Sequence, residues 1–402
     1  MVRRVLVFVH RWVGLAMAVF LLVVGLTGSL LAFSGSLERL INPQLFASPA
    51  PGARALSLAE LAERAEAQEP HARVGYFAIE EPRRVSMVVE PRKNPATGKP
   101  FAVDFDHLLL DPYTGRELGR RRDGDLSQGR INIVPFILVF HESLALGAFG
   151  TWTLGIVALA WTLDCFLAFY LTLPRVVPHF LRRWLPSWLI KHPAAAFRLN
   201  FDVHRASGLW FWPLLFVFAW SSVMFNLFPV YTAVTDALFS YTPFDESIQT
   251  LHPHQANDHP KLDWRAAERR GAELVSEQAL EHGFRILRPF GIGYLSELGV
   301  YTYEVRTDQD VGGTTWETGV WLDGNTGVLQ KTFLPSDQKP GDRISTWLYA
   351  LHWADFHDWL AYRVLVALLG LVIAALSMTG VVIWWIKRGA RRHARRHLGL
   401  IA

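Results

Sequence analysis

Of 402 residues only one is cysteine, Cys165, so no disulfide forms within the chain and its folded parts rest on ordinary packed cores. No CxxC, HExxH or Walker motif occurs, and Gly291-Ile292-Gly293 lacks the strand-to-helix setting of a dinucleotide site; zinc-ribbon, zincin and nucleotide-hydrolase chemistry are excluded. Charge is also missing in blocks. Residues 12–36, 206–235 and 364–386 contain no Asp, Glu, Lys or Arg, and each exceeds the ~20 apolar residues that a hydrocarbon core asks of a helix. A fourth stretch, 152–173, is interrupted by a single acid, Asp164.

Acids are scarce again where the spans end. Residues 1–11, 174–205 and the tail from Lys387 together hold fifteen Lys and Arg against one acid, Asp202, while the two long segments between spans hold 25 bases and 34 acids. Short cytoplasmic segments carry the excess of bases, so both termini are expected in the cytoplasm and the long acidic segments outside. The formal net charge of +4 then reflects topology and anionic lipid, with no nucleic-acid partner. The first span is uncharged well past the ~7–15 residues of a signal-peptide core and lacks a small-x-small cleavage site, so it reads as a retained span.

The informative presence is histidine. His10-Arg11-Trp12-Val13-Gly14-Leu15 and His204-Arg205-Ala206-Ser207-Gly208-Leu209 each place a histidine one turn inside the cytoplasmic end of an apolar run, over a glycine on the same helix face. Intramembrane histidine is costly unless it works, in metal ligation or proton relay, and the missing side chain leaves room for a flat, bulky group. Haem fits that description. His141 and His352 both precede spans entered from outside. Depth therefore pairs His10 with His204 near the inner face and His141 with His352 near the outer face, as axial ligands of two haems and through them of the haem iron. No CxxCH exists for covalent attachment, so the haems would be b-type.

The histidines belong to a longer repeat. Ser57-Leu58-Ala59-Glu60 has the form of a capping box opening a helix to about residue 68, strands are expected near 74–79, 85–90 and 101–110, and a turn at Asp111-Pro112-Tyr113-Thr114-Gly115. In the second half a helix opens at Asp263, strands are expected near 284–289, 300–307 and 318–322, and the turn is Asp323-Gly324-Asn325-Thr326-Gly327. His204 follows His10 by 194 residues and His352 follows His141 by 211. The divisions are a first span to 36, an outer domain over 37–130, a lead-in and second span over 131–174 and a cytoplasmic loop over 175–203. A third span follows over 204–235, a second outer domain over 236–346, a lead-in and fourth span over 347–388 and a basic tail over 389–402.

This layout resembles the PepSY-associated transmembrane family, through His10-Arg11-Trp12-x-Gly14-Leu15, Leu26-Thr27-Gly28, the two Asp-x-x-Thr-Gly turns, Leu351-His352-Trp353, and Thr379-Gly380 before Trp384-Trp385 and the basic tail. In the third span Trp220-Ser221-Ser222 stands where the family has Thr-Gly, which puts close helix contact there in question. The resemblance implies an integral membrane α-helical fold of four main transmembrane helices with internal duplication, carrying two periplasmic α+β PepSY-like domains, in a bacterial inner membrane. Length and histidine set are most similar to the inner-membrane ferrisiderophore reductases. That implies two haem b groups and electron transfer outward to ferric siderophore, with the hydroxamate type as the first to try. The cytoplasmic segments are too short to fold a flavin or nicotinamide domain, so electrons must come from quinol, reduced flavin or a cytoplasmic reductase.

Each residue also has a plainer reading. His10 or His204 alone could bond a carbonyl at the interface; His141 could face headgroups on an amphipathic segment. His357 competes with His352, since five residues apart on a helix the two point about 140° from each other. Asp164 would serve a ligand histidine as hydrogen-bond partner or pair with an arginine such as Arg205. Arg11 and Arg205 would meet haem propionates or merely set topology. His252, His254 and His259 would bind metal or siderophore or lie in a solvated loop. Two rival functions stay open, a siderophore or iron permease without redox chemistry and a membrane-anchored binding or regulatory module.

Overall fold

The structure, a computed structural model, describes residues 1–242, 256–313, 318–356 and 359–397, with side chains as far as 390. Among the described residues three helices are long and apolar enough to cross a membrane: α1 (Val2–Leu31), α5 (Gly147–Thr172) and the stretch Leu360–Ala390 of the last helix, α12 (Leu360–His397). The third expected span, 204–235, is not one helix. It divides into α7 (Ala196–Trp210), α8 (Trp212–Asn226) and α9 (Phe228–Leu238), with α7 and α8 bent by 71°. Pro213 and Pro229 stand in the first turns of α8 and α9, and Phe211 and Leu227 before them leave helical geometry. A proline has no N–H for the preceding turn and crowds it, so an apolar run that contains one kinks or stops.

Helix α1 packs most closely on α12. A Cβ at Gly25 would lie 2.6 Å from the Gly370 carbonyl, and Ser29 Oγ donates to Ala367 O at 2.8 Å; backbones meet here because both positions are glycine. Leu215, Phe218, Val366, Leu369 and Ile373 fill the bundle interior. Two shorter helices flank it, α4 (Ile133–Ser143) leading into α5 and α11 (Pro340–His352) preceding α12.

Eight strands among the described residues form one antiparallel sheet in the order β4-β3-β2-β1-β5-β6-β7-β8. Its strands are β1 (Ala72–Glu81), β2 (Arg84–Pro91), β3 (His107–Leu110), β4 (Glu117–Arg121), β5 (Ile286–Leu295), β6 (Val300–Thr307), β7 (Thr318–Asp323) and β8 (Leu329–Phe333). Where two separate domains were expected, the halves join through β1 and β5, with Phe77 opposite Ile292, which removes an exposed edge from each. Helices α3 (Leu58–Gln68) and α10 (Trp264–His282), between α2 (Ser34–Ile41), α6 (Phe180–Trp184) and the elements already named, lay Leu61, Ala62, Leu274 and Val275 on one face of this sheet against Phe77, Ile292 and Tyr303. The Ser57 capping box is formed, and Asp263 caps α10 through Ala266 N. The repeat is geometric as well as sequential. Asp111 Oδ1 accepts from Tyr113 N and Thr114 N, Asp323 Oδ1 from Asn325 N and Thr326 N, and each turn closes on a left-handed glycine, Gly115 at φ +66° and Gly327 at φ +70°.

The sheet's other face buries polar groups. Tyr76 donates to Glu304 Oε2 at 2.6 Å, and Arg306 lies 3.5 Å from the Phe290 ring centre. Burial pushes the Glu304 carboxyl up from its ordinary 4.5 to about 7, against the Tyr76 hydrogen bond and the Arg306 charge. A carboxyl whose folded value is raised favours the fold below its unfolded value and loses that stability as pH climbs to the folded one. Glu304→Gln, which keeps an acceptor for Tyr76, is therefore expected to gain on the native protein between about pH 4.5 and 7, by up to about 3 kcal/mol. Thermal melts in detergent at pH 5 and pH 8 would check it; an unchanged difference between the two proteins would contradict the assignment.

Candidate cofactor site

Four histidines from four elements meet in two pairs. His10 on α1 and His204 on α7 have ring centres 6.3 Å apart, and His141 on α4 and His352 on α11 have theirs 6.5 Å apart. His10 lies near the chain termini and His141 near the sheet; His141 meets α1 at Thr27, 17 residues beyond His10, about 25 Å along the helix axis.

Each imidazole is fixed through Nδ1. His141 Nδ1 lies 2.8 Å from Thr27 Oγ1, His204 Nδ1 2.9 Å from Thr379 Oγ1 and His352 Nδ1 2.6 Å from Ser221 Oγ. Those hydroxyl protons already have acceptors on their own helices: Thr27 donates to Val23 O, Thr379 to Ala375 O and Ser221 to Phe218 O. With each hydroxyl proton given to its own helix carbonyl, the hydroxyl accepts from Nδ1–H and Nε2 keeps its lone pair. His10 is held differently, with Nδ1 at 2.9 and 3.0 Å from the two carboxylate oxygens of Asp164. Neutral imidazole with Nδ1–H held by an oxygen is the form in which histidine binds a metal through Nε2.

The space suits a flat group. A Cβ at Gly14 would meet nothing within 4 Å and one at Gly208 only Leu376, at 3.8 Å, whereas Gly28 and Gly380 let the rings of His141 and His204 approach, their added Cβ atoms falling 3.1 and 3.4 Å from Cε1. An imidazole nitrogen bonds a transition metal at about 2.0 Å and lies about 1.1 Å from its ring centre, so two imidazoles holding one metal from opposite sides would have centres roughly 6.2 Å apart. Both pairs match that separation. Phe218 stacks on His352 at 4.9 Å and Phe225 meets it edge-on at 5.1 Å, so two aromatic rings of α8 flank the imidazole that Ser221 holds.

Other expected site residues fall out differently. Asp164 pairs with His10 and not with Arg205; Arg205 donates to Asp202 Oδ1 at 2.8 Å and to Pro186 O at 2.6 Å, and Asp202 also takes Arg198 at 2.8 Å. Arg11 is half-buried beside His10. His357, His252 and His254 lie outside the described residues, and His259 is exposed, its N–H bonded to Asn257 Oδ1. At the Ser221-Ser222 departure, Ser221 supplies to His352 the hydroxyl that Thr27 supplies to His141; the two follow their half's first histidine, His204 or His10, by 17 residues. The three hydroxyls went unassigned in the sequence although Thr-Gly motifs contained two of them. Among the described residues one further metal-capable group occurs, Asp106, His107 and Asp123, with Asp123 already ion-paired to Arg121 at 2.8 Å.

No curated protein matches the chain. The profile of the PepSY-associated TM region matches residues 7–387, nearly the whole length and both histidine pairs. The chain belongs to the family of the PepSY-associated TM region, a membrane-type family.

Proposed function

We propose that this chain is a membrane reductase holding two haem b groups, one on His10 and His204 and the other on His141 and His352, and that it passes electrons from the cytoplasmic side to ferric siderophore in the periplasm. The observation that carries the reading is one arrangement made twice: two imidazoles at metal-bridging separation, every Nδ1 held by oxygen. In this reading α7 and α8 together make the fourth crossing and each half-sheet with its helix is one PepSY unit. The basic termini and the 174–205 loop face the cytoplasm of a bacterial inner membrane.

When bound, haem would supply a one-electron carrier, held at each centre by two histidines. The protein's residues do the rest. Thr27, Ser221, Thr379 and Asp164 hold each ring in one tautomer and orientation. Gly14 and Gly208 keep the helix faces beside His10 and His204 clear of side chains. Arg11 is placed for a propionate near His10, while Arg205 is committed to Asp202. The His141 and His352 pair, on the sheet side, is where electrons leave. Siderophores offer hard oxygen donors that hold ferric iron better than ferrous, so reduction loosens the metal. The donor is a quinol, a reduced flavin or a cytoplasmic reductase.

Chemically reduced protein in liposomes, mixed with a ferric hydroxamate siderophore and a ferrous chelator, is expected to be reoxidised as the chelator colours. Passage of labelled siderophore or iron across the liposome with no reductant, and no reoxidation, would instead favour a permease.

A further inference from the structure

The four imidazoles share one geometry but not one acceptor. Three have Nδ1 against a hydroxyl, a neutral group that also bonds a backbone carbonyl of its own helix. His10 alone faces a carboxylate, bonded to both oxygens of Asp164. The other buried acid at that end, Asp202, is offset by two guanidiniums, those of Arg198 and Arg205. Asp164 is 8 % exposed and, among the described residues, its carboxylate hydrogen-bonds to His10 only.

We propose that Asp164 gives the His10/His204 centre a lower reduction potential than the His141/His352 centre, and so sets the direction of electron flow within the protein. The proposal rests on the haem reading above and adds to it the reason electrons leave from the sheet side. A carboxylate draws the Nδ1 proton towards itself more strongly than a hydroxyl does, and leaves Nε2 a stronger donor to the metal. A stronger axial donor and a nearby negative charge both favour ferric over ferrous iron, because the oxidised centre carries one more positive charge. Both effects act on one pair. His10 and Thr27, which mark the two levels on α1, are 17 residues apart, about 25 Å, and a charge interaction weakens in proportion to distance. One electron therefore moves downhill from the terminus-side centre, which is oxidised, to the sheet-side centre, which is reduced.

A spectroelectrochemical titration of the haem-loaded full chain in lipid nanodiscs should show two one-electron waves. Asp164→Asn keeps an acceptor oxygen for His10 and removes the charge. It is expected to raise the lower wave and leave the upper one in place, cutting the equilibrium constant for electron transfer between centres on the order of tenfold, about 59 mV for one electron. A lower wave that does not move, or an upper wave that does, overturns the proposal. Should the Asn protein fail to hold the first haem, His352→Ala decides. It retains only the His10/His204 centre, whose wave must coincide with the lower of the two native waves; coincidence with the upper overturns the proposal. Two haems with equal or reversed potentials would end this inference and leave the haem reading standing, whereas no redox wave at all would end that reading itself.

Discussion

His10→Ala and His204→Ala should each lower haem content from two per chain to one, and the haem that survives should be the same in both proteins. The two rings stand 6.3 Å apart on different helices, α1 and α7, so each would supply one side of a single site. Removing an outer-sphere partner of a metal ligand already weakens binding about 10–100-fold, and losing the ligand itself should exceed that. The surviving haem would be bound by His141 and His352, which share no hydrogen-bond partner with the first pair: theirs are Thr27 and Ser221. Redox titration of the two variants should give superimposable single waves at the native protein's upper potential. If each substitution removes a different haem, the pairing is wrong even though the cofactor is right.

The complementary substitution has the larger effect on turnover. His352→Ala or His141→Ala takes away the sheet-side centre, and siderophore reduction is expected to fall to the background of haem-free protein while the remaining haem still accepts electrons from a chemical reductant. His352 is the more informative choice because Phe218 and Phe225 pack directly on its ring. Its loss opens a hole that an added imidazole in solution can enter, so partial rescue by free imidazole should accompany His352→Ala. Undiminished siderophore reduction in a variant shown to lack one haem would mean that electrons leave from the terminus-side pair.

Much of this arrangement could be read from residue spacing, and its failures have physical causes. Histidines at matching depth in a duplicated chain point to pairs because helices crossing one bilayer bring equal depths together; the structure places His10 beside His204 and His141 beside His352. Asp164 stood out because an acid in an apolar run needs a partner, but its choice between His10 and Arg205 depends on how α1, α5 and α7 pack, which no local pattern encodes. The Ser221-Ser222 departure was read for its lost glycine alone, and the hydroxyl that Ser221 offers His352 went unremarked. The third span was taken as one helix since composition alone is uniform over 206–235; Pro213 and Pro229 carried the signal that it breaks. Strands β4 and β8 went unseen because Glu-Leu-Gly-Arg-Arg and Leu-Gln-Lys-Thr-Phe show no clean alternation, as suits the outer edges of a sheet. The join of β1 to β5 sets Phe77 opposite Ile292, 215 residues on in sequence, beyond any pattern of period 2 or 3.6.

The central claim is that both histidine pairs bind haem, and the most direct measurement is the visible spectrum and haem-to-protein ratio of the full chain purified after expression with ample haem supply. The account predicts two low-spin, six-coordinate b-type haems per chain, extractable with acidified organic solvent because no CxxCH tethers them. A folded protein that purifies without a Soret band would contradict it.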